Sequence, residues 1–192
     1  VTPSYSINPD IEDEQGSTFD LGARGSYNNR ISFDLTAFTV FYNNRIGFLQ
    51  KEVEFGGVKS QRDNVGNAIL YGLETQAELN LKKITNLSEK YLWNCFANFA
   101  FIQSEYISSQ EPGIQGNDVE FAPQFNLKTG LNFGYKNLLA SLQYNYISEQ
   151  YSDASNAVKS NLSGVVGLIP SYSILDASMS YKLKNIQVEC GV

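Results

Sequence analysis

The stretch FAPQFNLKTGLNFGYKNLLASLQYNYI, residues 121–147, decides the fold. In its first limb Phe125, Leu127, Thr129, Leu131, Phe133 and Tyr135 fall on one face of an extended chain. Gln124, Asn126, Lys128, Gly130, Asn132 and Gly134 fall on the other. Successive side chains of a strand point to opposite faces, so this unbroken alternation predicts a strand with one apolar and one polar side. Lys136-Asn137 reverses the chain, and Leu138, Ala140, Leu142, Tyr144 and Tyr146 then alternate with Ser141, Gln143 and Asn145. Strands of soluble proteins usually run about 5–6 residues, whereas a tilted strand needs about 9–11 to cross a bilayer. The limbs have the longer measure and predict a membrane hairpin.

Working outward, the same pattern recurs on both sides. Phe19, Leu21, Ala23 and Tyr27 alternate with Asp20, Gly22, Arg24 and Ser26, and Asn28-Asn29 makes a tight reversal. Ile31, Phe33, Leu35 and Ala37 follow, with a bulge or a two-sided stretch expected near Phe38-Thr39-Val40. Tyr71, Leu73, Thr75, Ala77 and Leu79 oppose Gly72, Glu74, Gln76, Glu78 and Asn80. Tyr91, Trp93, Cys95, Ala97, Phe99 and Phe101 form another apolar row. Past the hairpin, Leu175, Ala177, Met179, Tyr181 and Leu183 alternate with Asp176, Ser178, Ser180 and Lys182, and a last strand starts at Ile186 and stops in mid-alternation.

The expectation is therefore eight strands joined by alternating long and short connections. The long ones cover 50–64, 105–122 and 150–170, and the short ones 82–90, 136–137 and 184–185. In an up-and-down meander, alternate connections lie at opposite rims, so one rim carries tight turns and the other long loops, as in outer-membrane barrels. Tyr27, Tyr135 and Tyr181 stand at or near short turns, the position of an aromatic belt at a membrane interface. Arg24, Glu74, Glu78, Lys128 and Gln143 fall on the polar faces and are expected to look into the lumen.

Composition excludes several functions. The chain of 192 residues contains no His and has a net charge of −6. Zinc catalysis and a Ser-His-Asp triad lack their central residue, and nucleic-acid binding would call for a basic face. No catalytic residue, metal site or cofactor is expected. Glu74 and Glu78 share the polar face of one strand with no pocket implied, and read as solvated carboxylates. Cys95 and Cys190 occupy apolar positions of separate strands, and read as small apolar residues rather than as a disulfide. No apolar run is long enough for a spanning helix, which says nothing against a barrel whose alternating strands average out to polarity. Val1-Thr2-Pro3-Ser4 is polar and turn-like, so the chain reads as a segment cut at both ends.

Five segments carry a family resemblance: NPDIEDEQGSTFDLGARG (8–25), FDLTAFTVFYNNRIG (33–47), RDNVGNAILYGLETQAELNL (62–81), GNDVEFAPQFNLKTGLNF (116–133) and IPSYSILDASMSYKLKN (169–185). Together they resemble the C-terminal barrel of TonB-dependent outer-membrane receptors, with Asn64, Gly66, Gly72 and Glu74 the most specific part. The matches look closest to ferric-citrate and siderophore receptors. The resemblance implies an all-β, antiparallel transmembrane barrel of about 22 strands around a plug. Residues 1–192 would supply about eight of those strands as one partial barrel domain, without the plug and the terminal strand. Two unpaired edges make independent folding of such a piece unfavourable.

The resemblance also implies residence in the outer membrane of a Gram-negative bacterium, lipid and the TonB energy-coupling complex as partners, and uptake of a small-molecule metal chelate without chemistry. An anionic ferric chelate would be met by cations of the long connections, so Arg45, Lys51, Lys59, Arg62 and Lys159, with Gln61, are the candidate contacts. Gly66 and Gly72 are expected to serve close backbone approach or a bulge. A porin-like channel, a small structural outer-membrane barrel, a receptor for a glycan or cobalamin, and a soluble barrel with its apolar face inward share much of the pattern.

Overall fold

The computed structural model describes residues 5–53, 57–160 and 166–192. Residues 1–4, 54–56 and, in the third long connection, 161–165 lie outside the described residues. In chain order the elements are β1 (Tyr5–Ile7), β2 (Gln15–Tyr27), β3 (Ile31–Val53), β4 (Gly57–Asn80), α1 (Leu81–Ile84), β5 (Tyr91–Ser108), β6 (Phe125–Tyr135), β7 (Leu138–Ile147), β8 (Gln150–Tyr151), β9 (Leu168–Ile169), β10 (Tyr172–Leu183) and β11 (Ile186–Gly191). The strands β2, β3, β4, β5, β6, β7, β10 and β11 form one antiparallel meander in which every strand pairs with the next of the series. These are the eight strands that the alternation predicts. β8 and β9 pair with each other inside the third long connection.

Register carries the apolar rows across the sheet. Ala23 faces Leu35, Leu35 faces Thr75, Thr75 faces Phe99, Phe99 faces Leu127, and Leu127 faces Tyr146. One residue along, Arg24, Asp34, Gln76, Asn98, Lys128 and Asn145 form a polar row over the same strands. A slip of one residue would exchange the two faces, so the pattern excludes any odd slip of the pairing. The apolar face is uncovered: Leu21 is 80% exposed and Leu175 63%. An apolar surface spanning eight strands is far beyond what a soluble monomer leaves open to water.

The short turns form as their residues dictate. Asn28 and Asn29 both take left-handed backbone (φ 49° and 50°) in a turn that the Arg30 N–H closes on the Tyr27 carbonyl at 2.9 Å, and Asn is among the few residues that tolerate this conformation. Between β4 and β5 a single helical turn, α1, is capped by Asn80, whose side chain accepts the Lys83 backbone N–H at 3.1 Å.

Two expectations need correction. The connection at 50–64 is not a long loop: β3 runs to Val53 and β4 starts at Gly57, so the hairpin stays paired well past the level where β6 and β7 end. Beyond the bilayer a strand has no apolar face to maintain, and the periodic signal fades while backbone pairing continues. Phe38-Thr39-Val40 pairs regularly with Gly72, Tyr71 and Leu70, so this is the two-sided stretch, and the irregularity comes later, between Tyr42 and Ile46. Asn44 takes φ 52° there, which lets the projecting hairpin change direction.

Residues 5–14 are tied to the sheet. β1 pairs parallel with β4 at Ser60–Arg62. Residues 8–14 then run as a strap across the bulge to reach β2. Asn64 is its anchor: the side chain accepts the Glu12 N–H at 2.8 Å and donates to the carbonyls of Glu12 (3.0 Å) and Asn44 (2.8 Å). Asn44 Nδ2 donates to Glu12 Oε2 at 2.8 Å, and the Ile46 N–H donates to Glu14 Oε2 at 2.7 Å. Asn64→Ala removes three bonds at one position, each worth about 1 kcal/mol. The expected result is a loss of about 2 kcal/mol and faster proteolytic cleavage within 8–14, with the β6–β7 hairpin still protected.

Candidate functional site

The site is built where the projecting strands and the long connections meet. Leu49 of β3, Val65 and Ala68 of β4 and Tyr106 of β5 present one continuous face, and Ile114, Val119 and Ala154 of the second and third long connections close over it. All seven are buried and pack as one cluster. The long connections thus fold onto the same side of the sheet as the polar rows. Gly47 permits this closeness, since a Cβ there would lie 2.7 Å from Glu120 Oε1 and 2.8 Å from Val65 Cγ2.

Polar side chains tie the layers together. Tyr106 Oη donates to Glu120 Oε2 at 2.7 Å in a buried bond. Arg45 Nη2 stands 3.7 Å from Glu120 Oε1, and its guanidinium lies 5.0 Å from the centroid of the Tyr42 ring, within cation–π range. Burial, reinforced by the adjacent carboxylate, pushes the Tyr106 phenol well above its ordinary range, so it remains a donor. The two connections are joined by Asn156, which accepts the Asp118 N–H at 2.7 Å and donates to its carbonyl at 2.9 Å. Asn117 Nδ2 also reaches the Ala154 carbonyl at 2.8 Å. Asp118 itself is raised above the usual carboxylate range by burial and by the nearby Glu105.

The sequence-predicted residues separate into groups. Arg45 is a strand residue held under the connections by Glu120, and Lys51, also on a strand, pairs with Glu111. Lys59 and Gln61 lie on β4 opposite Lys51 and Leu49, on the face that looks toward the core. Arg62 pairs with Phe48 on the reverse face and is exposed. Lys159 is exposed on the third long connection. Nothing in the composition signals Glu120 or Tyr106. An acid and a tyrosine in polar surroundings carry no pattern, and only the folding back of residues 109–124 brings Glu120 to Tyr106 and Arg45.

Lower on the polar face, Arg24 and Asp34 form an ion pair at 2.6 Å. With Glu74, Gln76, Asn98 and Lys128 they line a recess of about 550 Å³. Glu78 is further along the strand, with Asn94 Nδ2 at 3.5 Å, and Gln143 lies opposite Asp176. Of the tyrosines, Tyr135 and Tyr181 occupy one register row through Leu138, joined by Tyr91, whose ring is 4.8 Å from that of Tyr135. Tyr27 stands at its own turn, opposite Ile31. Cys95 and Cys190 are free and lie in β5 and β11, with β6, β7 and β10 between them. Among the described residues no group of three His, Cys, Asp or Glu side chains could hold a metal. No described helix is long and apolar enough to cross a membrane.

The family model for TonB dependent receptor-like β-barrels matches residues 1–192. Among solved structures, the unliganded ferric citrate transporter FecA superposes with a TM-score of 0.73 at 24% identity, covering 93% of this chain and 26% of that one. The copper transporter OprC gives 0.68 at 15% identity, over 95% of this chain and 25% of that one. The ferric yersiniabactin uptake receptor FyuA from Yersinia pestis gives 0.64 at 18% identity, over 92% and 24%. The chain spans about a quarter of the length of these proteins. These identities show a shared fold. The chain belongs to the TonB-dependent receptors, a non-enzymatic family of the Gram-negative outer membrane, and forms an up-and-down portion of their β-barrel.

Proposed function

We propose that this chain is the part of a TonB-dependent uptake receptor that shapes the mouth and one wall of the lumen, and that the cargo is a ferric chelate, ferric citrate or a siderophore complex. The observation that carries the reading is the inward fold of the long connections onto the projecting β3–β5 strands, which leaves cations at the entrance. Lys59 and Lys159 have no ion-pair partner among the described residues and are the proposed contacts of an anionic chelate, with Gln61 adding hydrogen bonds. Arg62 is a rim contact. Arg45 and Lys51, neutralised by Glu120 and Glu111, hold the entrance in shape. Arg24, Glu74, Glu78, Lys128 and Gln143 line the lumen wall, and Tyr27, Tyr135 and Tyr181 anchor the wall at the interface.

The likeness to a ferric citrate transporter, a ferric yersiniabactin uptake receptor and a copper transporter supports transport of a scarce metal. Energy would arrive from TonB through parts of the receptor beyond these residues. The acidic surroundings of the mouth, with Glu105, Glu111, Asp118 and Glu149, favour a second reading in which the cargo is uncharged, such as a glycan or cobalamin. Uptake of labelled ferric chelates by cells carrying the complete receptor separates the two. The double variant Lys59→Glu/Lys159→Glu is expected to lower ferric uptake about tenfold or more, the effect of about 1.4 kcal/mol. Uptake that responds to no ferric chelate would remove the iron reading.

A further inference from the structure

Charge is polarised along the barrel axis. The short-turn rim gathers Arg30, Lys82, Lys83 and Lys90 at its first two turns and Lys136, Lys182 and Lys184 at the other two, half of the 14 Lys and Arg residues in a chain of net charge −6. Its turn segments carry a single carboxylate, Glu89, and Lys82 already holds that one at 2.6 Å. The contact with Lys82 keeps Glu89 below the usual carboxylate range, so it stays ionised and occupied. Arg30 and Lys83 have no ion-pair partner among the described residues. Between the first and second short turns lies a recess of about 480 Å³, lined by Asn28, Arg30, Lys82, Lys83, Asn86 and Leu87 as well as Glu89.

Exposed apolar residues adjoin the lining residues in the chain. Tyr27, 67% exposed, and Ile31, 40% exposed, pair across the first turn on the lipid-facing side and bracket Asn28 and Arg30, and Ile84, 42% exposed, adjoins Lys83. At the next turn Lys136 Nζ lies 5.2 Å from the Tyr135 ring centroid, so cations and aromatic rings share one depth there too. A long cationic side chain beside an aromatic ring is the arrangement that meets a head group while its stem stays in the apolar layer. A free phosphate would use the cations and leave Tyr27, Ile31 and Ile84 bare. An amphiphile with an anionic head uses both.

We propose that the recess between the first two short turns is a binding site for an anionic phospholipid, with the head-group phosphate held by Arg30 and Lys83, hydrogen bonds from Asn28 and Asn86, and acyl chains lying along Tyr27 and Ile31. The basic short-turn rim then fixes the depth and orientation of the barrel wall, opposite to the acidic mouth.

The test uses the complete receptor reconstituted in phosphatidylcholine vesicles with and without phosphatidylglycerol, with lipid retention read by native mass spectrometry. Wild type is expected to retain phosphatidylglycerol in preference to phosphatidylcholine, and to lose that preference at high salt. Arg30→Gln/Lys83→Gln is expected to retain it about 30-fold more weakly, as for two cations lost at a charged membrane surface. The charge-keeping pair Arg30→Lys/Lys83→Arg should stay close to wild type. Wild-type protein with no preference for phosphatidylglycerol overturns the proposal without any variant. So does full displacement of the lipid by millimolar inorganic phosphate, which would mark a soluble-anion site, or equal loss in both double variants.

Discussion

Glu120→Ala is expected to destabilise the mouth by about 3 kcal/mol. Glu120 is 5% exposed, accepts the hydrogen bond of Tyr106 and is the ion-pair partner of Arg45, so alanine strands a mostly buried guanidinium and a buried phenol together. Breaking a buried charge pair from one side costs about 3–5 kcal/mol, and the lower end applies because Arg45 keeps 19% of its side-chain surface exposed. Thermal unfolding of the receptor in detergent measures the loss, and limited proteolysis within 109–124 locates it. Removing both charges in Arg45→Met/Glu120→Leu should cost less than Glu120→Ala alone, since no charge is then left unpaired. A single variant as stable as wild type would show that the connections are held by the apolar contacts of Ile114, Val119 and Ala154 alone.

Gly72 carries the second large effect. A Cβ at this position would lie 1.9 Å from the Phe101 carbonyl oxygen and 3.1 Å from Ile102 Cα, both on the neighbouring strand backbone. No side-chain rotation relieves such a contact, so β4 and β5 must separate and their ladder must weaken. Gly72→Ala is expected to cost about 2–3 kcal/mol, at the upper end for overpacking, and Gly72→Val to leave little folded receptor. The heat-dependent mobility shift of the folded barrel on gels and its midpoint of thermal unfolding read this out. Gly16→Ala is the matched control, with nothing closer than 3.6 Å. It should stay within about 0.5 kcal/mol of wild type.

These two residues also mark how far the sequence reaches. Gly72 is legible as a backbone requirement, because a glycine inside a strand weakens it and marks a bulge or the close approach of another backbone. Its partner is not, since close approach to Phe101 depends on the register between β4 and β5. Glu120 is not legible at all. Arg45, Lys51, Lys59 and Arg62 stand out in the sequence as cations near the mouth, but the pattern puts them on or beside a loop where the structure has paired strands. Which of them are already neutralised follows from Glu111 and Glu120, residues of the second long connection far along the chain from Lys51 and Arg45.

By itself the sequence determined the number of strands in the meander and which residues share each face of the sheet. Period-2 alternation is a local property, and burial in lipid enforces it residue by residue on every strand that crosses the membrane. Tertiary structure alone decided the length of the β3–β4 hairpin, the strap of residues 8–14 and the inward fold of the long connections. Beyond the bilayer no solvent boundary imposes a period. There the chain is arranged by a few specific contacts between distant residues, such as Asn64 with Glu12 or Tyr106 with Glu120, and these exist only once the strands have brought their ends together.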